Sequence, residues 1–552
     1  MMRYLLFVLI ALSAGAAVAE EPVKLLYNGI RLPDPWPPRL QFSREPMPVP
    51  YLHERPTVVP IDVGRQLFVD DFLIHETTLK RTYHLAEPYS GNPVVQPDRP
   101  WENTTPRAVA MVFSDGVWYD PADQLFKMWY MGAWRLSTCF ATSKDGLHWE
   151  KPSLDVETGT NVSLKHGRDS STVWLDLNEP DPMRRYKMFS YEGGTLALRV
   201  SADGIHWSAI VGHSPGVGDR TTVFYNPFRK MWVYSVKGFA EVGGAAFGRA
   251  RYYREHADAE KGLQWSAGDV VPWLCADRLD PFNPKQYPVG ARDGRGVVAK
   301  ELAHSQLYNL DATAYESLML GLFAIWQGDP AARGNQKRNE VILGYSRDGF
   351  HWHRPDRRPF LGIDESDAAW NWGNVQSAGG GCLVVGDKLY FYHSGWRDRA
   401  SGPASTGLAF LRRDGFASMD AGENEGTLTT RPITFSGRLL FVNVAAANGQ
   451  LQVEVLDESG KPVEPFTRSN CVAVSANTTL APVKWTGADD LSAVANKPVR
   501  LRFHLSNGRL YSFWVSPDVS GASGGYMAAG GPGLIGPTDT VGTAAYEAAN
   551  AR

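Results

Sequence analysis

An all-β chain, a five-bladed β-propeller followed by a C-terminal β-sandwich, is the architecture that three features of these 552 residues predict. The phrase Ser-x-Asp-Gly-x-x-Trp occurs at 143–149, 201–207 and 346–352, with worn copies at Gly262-Leu263-Gln264-Trp265 and Arg413-Asp414-Gly415-Phe416. Upstream of each copy stand a strand, a turn and a second strand rich in aromatics. Beyond Ala421 the phrase stops, and polar and apolar residues alternate instead. Repeats of this size mark stacked copies of one β unit, and alternation marks antiparallel strands with one wet face.

Each copy of the phrase is a hairpin staple: Asp accepts from turn amides, Gly takes the positive φ, and Trp folds back onto a neighbouring sheet. The upstream blocks are Tyr119-Asp120-Pro121 before Phe126–Tyr130, Leu175-Asp176 before Tyr186–Phe189, and Tyr225-Asn226-Pro227 before Lys230–Tyr234. Looser versions are Tyr315-Glu316 before Leu320–Trp326 and Val385-Gly386-Asp387 before Leu389–Tyr392. Trp149, Trp207 and Trp265 are 58 residues apart, Trp352 follows 87 later, and 66 separate Asp348 from Asp414. A four-stranded blade with its turns needs roughly 40 to 50 residues, so each period holds one blade plus loops.

In chain order, Arg3, the apolar run Leu5–Leu12 and Ala17-Val18-Ala19 read as a cleavable signal peptide over 1–19, placing the mature protein outside the cell or in the periplasm. Residues 20–59 form a proline-rich arm, extended rather than packed. The propeller is expected over 60–421, with 66–74 and 79–84 as strands, one of which is placed to complete the fifth blade. A β-sandwich follows over 422–520, from the alternation in Leu451–Leu456 and Val499–Leu505, then a loose Gly/Ala-rich tail over 521–552. In that tail Gly521-Ala522-Ser523-Gly524-Gly525 mimics a nucleophile elbow and Gly531–Gly536 a dinucleotide fingerprint, but neither lies between a strand and a helix.

Lys and Arg number 56 against 59 Asp and Glu, mixed along the chain, so no basic stripe argues for nucleic acid. No apolar run is long enough for stable membrane insertion. Cys139, Cys275, Cys382 and Cys471 lack the close spacing of a zinc or redox site and read as buried free thiols. No motif demands a cofactor or metal, although a structural calcium ion on the propeller axis is compatible with the fold; the oligomeric state leaves no trace in the sequence.

In a propeller the loops leading into the innermost strands form a funnel, so acids at equivalent leads face one another. Asp169 stands seven residues before Asp176, and Asp219 seven before Asn226; Asp115 stands five before Asp120. Glycoside cleavage needs two carboxyl groups straddling the scissile bond, and a third can orient the sugar. Glu316 and Glu241 are competing proton donors, and Arg168 and Arg220 are placed to bind substrate or pair with the acids. Trp101, Trp134, Trp370, Trp372 and Trp396 lie in loops and offer flat faces for sugar rings.

With these residues the chain resembles the five-bladed propeller glycoside hydrolases, the invertase and fructanase family (family 32) and the arabinanase and xylosidase family (family 43), over about 60–419. Asn92-Pro93-Val94 with Pro100-Trp101-Glu102 looks like the lead-in to their first blade. Arg168-Asp169-Ser170 matches two of three positions of the family 32 Arg-Asp-Pro stabiliser motif. Ser114-Asp115-Gly116 stands where that family has its Asn-Asp-Pro nucleophile, and Gly218-Asp219-Arg220 where it has its Glu-Cys acid. The resemblance implies hydrolysis of an oligo- or polysaccharide, with Asp115 as nucleophile or base, Asp169 as stabiliser and Asp219 as general acid. Two other readings are a non-catalytic carbohydrate-binding propeller and, from the Asp-box likeness of the staple, a sialidase. Two funnel acids about 5 to 10 Å apart would permit hydrolysis, while wider spacing or pairing of every acid with Arg would favour binding alone.

Overall fold

The computed structural model describes residues 24–243, 245–282, 304–328, 337–366, 368–397 and 402–551. The expected leader at 1–19 lies outside them. The chain is mostly strand; Thr543–Asn550 is the one α-helix among the described residues.

Five sheets of four or five strands account for residues 110–412. The first joins Ala110–Asp120, Leu125–Gly132, Ser137–Ser143 and Val162–Lys165 in sequence order, all antiparallel. The second and third repeat that meander over Ser171–His213 and Thr222–Cys275. In the fourth, Gln306–Glu316, Leu318–Trp326 and Asn339–Ser346 pair in turn, and Tyr526–Met527 from the chain end adds to the first of them. In the fifth, Gly373–Ser377 and Leu383–Val385 pair with Lys388–Trp396, which pairs with Ala404–Arg412. Glu87–Pro88, from before the first sheet, pairs with that last strand. The first strands of sheets one to four pack side by side in order, and Gly373–Ser377 contacts both the fourth sheet and Ala110–Asp120. Their apolar faces join one large buried cluster running from Val95 to Tyr392 and Ala529.

The staples behave as their chemistry dictates. In each, one carboxylate oxygen accepts from the backbone amides two and three residues on, as Asp348 does from Phe350 (2.9 Å) and His351 (2.8 Å), while the other faces the histidine ring. Asp145 and Asp203 repeat the geometry with Leu147, His148, Ile205 and His206. The glycine has φ near +80° in all three copies and presses its bare backbone on the preceding sheet. Trp129 Nε1 donates to Gly204 O at 2.6 Å, Trp273 Nε1 to Phe350 O at 2.8 Å, and Tyr392 of the fifth sheet donates its hydroxyl to Gly146 O of the first. A Cβ on Gly204 would lie 2.4 Å from Trp129 Cζ2, which is why glycine stands there. The worn copy at 413–416 departs from this scheme: Asp414 is fully buried and pairs with Arg65 at 3.0 Å.

Two further sheets contain the alternating segments. One orders Asn477–Pro482, Leu439–Ala445, Gly508–Ser516, Ala417–Ala421 and Lys80–Tyr83, with Gln66–Leu67 beside Gly508–Ser516. The other orders Gln450–Leu456, Arg500–Ser506, Gly426–Thr430 and Ile74–Thr77. A shared apolar core lies between them. The strands expected near 66–74 and 79–84 therefore belong here and not to the fifth sheet, because their apolar residues Phe68, Phe72, Ile74 and Leu79 fill this core. The proline-rich arm is also packed: Leu26, Ile30, Leu32, Val49 and Tyr51 lie in the same core, and Asn28 Nδ2 donates to Arg347 O at 2.9 Å. The tail is ordered against the fourth sheet, with Met527 buried and Ala528 N donating to Ala314 O at 3.0 Å. All four cysteines are buried free thiols.

Replacing Asp348 by Ala leaves two buried amides without acceptors and is expected to cost about 2 kcal/mol or more. The same change at Asp203, whose side chain is 45% exposed, should cost visibly less. Urea denaturation midpoints of the two variants check the difference.

Candidate functional site

The leading ends of the first strands carry polar residues that would be costly to bury singly, and they bond to one another across sheets, leaving Arg220 Nε and Arg251 Nε without partners among the described residues. Asp311 Oδ2 accepts from the hydroxyls of Ser114 (2.8 Å) and Ser377 (2.6 Å) and from Asn309 Nδ2 (3.0 Å). Arg220 donates to Ser114 Oγ at 2.9 Å, and Arg251 to Tyr308 O at 2.6 Å and Asn309 Oδ1 at 3.0 Å. Arg168 grips Asp115 with two bonds, 2.6 and 3.0 Å, and the Ser171 hydroxyl donates to the same carboxylate. Asp115 and Arg220 have no exposure, and Asp311 has 4%. These residues form a sealed floor, and burial pushes the Asp311 carboxyl up against the opposing pull of Arg220 and the serine hydroxyls.

Asp219 is the more accessible acid, while Asp169 is buried beneath the exposed Arg135. Ser170 joins their two leads by donating its hydroxyl to Asp219 O at 2.5 Å. Arg135, on an exposed turn, reaches Asp169 through Nε at 2.6 Å, and Asp219 adds to the charge it feels. Asp219, 31% exposed, pairs with Lys237. Burial opposes ionisation of Asp219, but Lys237, Lys337 and Arg220 outweigh it and hold the carboxyl at about 2. Beside them Trp134 meets Trp396 edge to face at 5.5 Å, the Arg135 guanidinium lies 5.7 Å from the Trp134 ring, and Arg107 lies 4.3 Å over Trp396. Tyr308 sits nearby, accepting from Lys337 Nζ at 2.7 Å.

Several sequence expectations need correction. Asp115, read as nucleophile or base, is sealed beneath the floor by Arg168, and Arg168 and Arg220 are structural cations rather than substrate ligands. Asp219, read as the general acid, is ionised by its lysine. Glu316 lies at the far end of its strand, fully buried between Arg65 and Arg413 and accepting from Ser523 Oγ at 2.8 Å. It is not brought near the other acids. Trp101 donates to Asn161 Oδ1 at 2.8 Å within the outer part of the first sheet. Trp372 is buried, and Trp370 packs over Gly395 and Gly407 of the fifth sheet. Glu241 is exposed near the tip of the third sheet's long hairpin. Residues that the sequence reading passed over are Arg135, Lys237, Arg249, Tyr308, Asp311 and Lys337. The available signal was a charge inside an otherwise apolar strand, as with Lys237 after Trp232–Val236 and Asp311 within Leu307–Ala314. Among the described residues no group of three His, Cys, Asp or Glu could hold a metal ion.

No known family's sequence model matches the chain. A curated relative, an A type blood N-acetyl-α-D-galactosamine deacetylase from Flavonifractor plautii, is 23% identical over 236 residues, 41% of this chain. The chain spans about a fifth of that relative's length, 22%. Similar solved structures include an N-acetylgalactosamine deacetylase from F. plautii with blood group B trisaccharide, at TM-score 0.34 and 13% identity, covering 64% of this chain and 96% of that one. A fructofuranosidase from Schwanniomyces occidentalis complexed with fructose has TM-score 0.34 and 12% identity, covering 78% and 97%.

Arg168→Ala leaves Asp115 charged, buried and unpaired, so a loss of about 3 kcal/mol or more is expected in denaturant unfolding. Adding Asp115→Asn should restore part of it. The Asp219 carboxyl is lowered from its ordinary 3.8 to about 2, so its stabilising contribution is fully present above pH 4 and lost as pH falls through about 2. Asp219→Asn should therefore lose less stability than the wild type between pH 5 and pH 2, measured by thermal unfolding.

Proposed function

We propose that the five sheets close into a five-bladed β-propeller, that the two remaining sheets form a β-sandwich, and that the chain is an exported glycoside hydrolase acting on an oligo- or polysaccharide. One observation carries this: Asp169 and Asp219 stand on adjacent leads above a buried polar floor, Asp219 open to solvent and Asp169 beneath the exposed Arg135, with Trp134 beside them. In this reading Asp219, held ionised by Lys237, is the nucleophile or water-activating base. Asp169 takes up a proton from solvent and becomes the donor once Arg135, whose own side chain is exposed, turns from it to the substrate. Trp134 supplies a stacking surface for a sugar ring, with Trp396 packed behind it. A relative named for an activity on N-acetylgalactosamine supports the carbohydrate class without fixing the bond cleaved.

The ion pairing of each of the three acids, Asp115 with Arg168, Asp169 with Arg135 and Asp219 with Lys237, favours a second reading, a non-catalytic carbohydrate-binding propeller. A panel of aryl glycosides and polysaccharides separates the two. The first reading expects turnover of at least one substrate by the wild type, and a fall of about 100-fold or more in Asp169→Asn and Asp219→Asn at a temperature where far-UV spectra show both variants folded. Sugar binding with no turnover by the wild type would establish the second.

A further inference from the structure

Around Tyr308, among the described residues, cations outnumber the acids paired with them. Lys337 Nζ donates to the Tyr308 hydroxyl at 2.7 Å and lies 4.9 Å from the ring centroid. Arg249, half-buried, lies 5.4 Å from the same ring and 5.1 Å from that of Trp326. Its Nη1 donates to the neutral Gln306 Oε1 at 2.7 Å. Lys237, buried on the adjoining hairpin, is the third cation and is matched by Asp219. Among the described residues neither Lys337 nor Arg249 has a carboxylate partner, although most buried or half-buried cations of this chain do, as Arg65, Arg168, Arg347 and Arg354 show.

A second, independent observation lies in the amides next to these cations. Gln306 Nε2, Asn374 Nδ2 and Gln376 Oε1 are buried and have no hydrogen-bond partner among the described residues. The three side chains are 1%, 1% and 0% exposed. Gln306 is the residue that holds Arg249, and the backbones of Asn374 and Lys337 are joined, Asn374 N donating to Lys337 O at 2.7 Å. Buried polar groups are nearly always satisfied, and the two orphaned donors, Gln306 Nε2 and Asn374 Nδ2, are suited to receive acceptor oxygens, whereas Gln376 Oε1 calls for a donor. The positive surroundings also act on the phenol: burial pushes Tyr308 up, but Lys337, together with Lys237 and Arg249, outweighs it and brings the hydroxyl below its ordinary value despite Asp219.

We propose that Lys337, Arg249 and Tyr308, with the Gln306 and Asn374 amides, form a subsite for an oxyanion carried on the sugar, a sulfate, phosphate or carboxylate substituent beside the bond that Asp169 and Asp219 face. This deepens the glycan reading and rests on it for the sugar portion only. Lys337 and Arg249 supply charge, the amides supply neutral donors, and Trp326 and Tyr308 wall the subsite with ring faces. A neutral glycan would leave the two cations unpaired.

The test is a glycan array of sulfated, phosphorylated and uronate oligosaccharides with their neutral counterparts. Wild type, Lys337→Gln and Arg249→Gln are compared, and calorimetric titration with inorganic sulfate and phosphate runs alongside. Melting temperatures and far-UV spectra confirm that the variants fold. The subsite predicts preference for the acidic glycans, an affinity lower by about tenfold or more in each variant, and weakening with added salt. Equal binding of the neutral counterparts, or undiminished binding of acidic glycans by both variants, overturns it while leaving the carbohydrate reading in place. Binding of inorganic anion that both variants weaken, with no glycan bound, retains the anion site and sinks the carbohydrate reading. Binding of no probe overturns the subsite.

Discussion

The constraint on which the architecture depends is that three arginines and two aspartates, Arg168, Arg220, Arg251, Asp115 and Asp311, are buried where the first strands meet. A charge taken out of water costs several kcal/mol unless a partner with good geometry receives it. Here the partners come from different sheets: Arg168 of the second lead holds Asp115 of the first, Arg220 of the third reaches Ser114 of the first, and Ser377 of the fifth reaches Asp311 of the fourth. No sheet can satisfy its own polar lead alone. Contact among the first strands is thus enforced by polar groups as much as by the apolar faces behind them, and the buried floor that results separates Asp219, which meets solvent, from Asp115 and Asp311, which do not.

A second buried network does similar work at the other end of the strands. Glu316, Asp414 and Asp539 surround Arg65 and Arg413, and Tyr315, Ser512 and Ser523 take up remaining carboxylate lone pairs. The participants belong to the fourth sheet, the turn after the fifth, the segment before the first, the C-terminal sheets and the tail. Glu316 has a positive φ of 50° and is pinned by the backbone amide of Arg65 as well as by its guanidinium. Such a residue is a structural junction. Its carboxylate has no access to a substrate, and its role in holding the tail explains why a Gly/Ala-rich segment is ordered.

At the mouth the logic reverses. Arg135, exposed itself, can exchange the buried Asp169 carboxylate for another partner when a ligand compensates that carboxylate in turn. Lys337 and Arg249 lean on aromatic rings and neutral oxygens, leaving their charge available. Rigid, satisfied charges below and adaptable charges above are what a site needs to hold a polar ligand in one orientation without collapsing when the ligand leaves.

What the residues alone determined were the local devices. Ser-x-Asp-Gly-x-x-Trp specifies its turn because the carboxylate, the following amides and the glycine φ all lie within seven residues, and the strands at 126–130, 186–189, 231–234, 451–456 and 500–505 form because their patterning needs no distant information. The leads containing Asp115, Asp169 and Asp219 were legible for the same reason. Tertiary structure alone decided which acids stay open to solvent, since that depends on whether Arg168, Arg135 or Lys237 arrives from another strand and on whether the arriving cation is buried. It also decided where the 66–74 and 79–84 strands pair, because an apolar strand edge carries no label for its partner and joins whichever sheet offers a matching core. The unmatched charge around Tyr308 was invisible for that reason too: Arg249, Tyr308 and Lys337 are far apart in the chain, and only the packed sheets bring their side chains together.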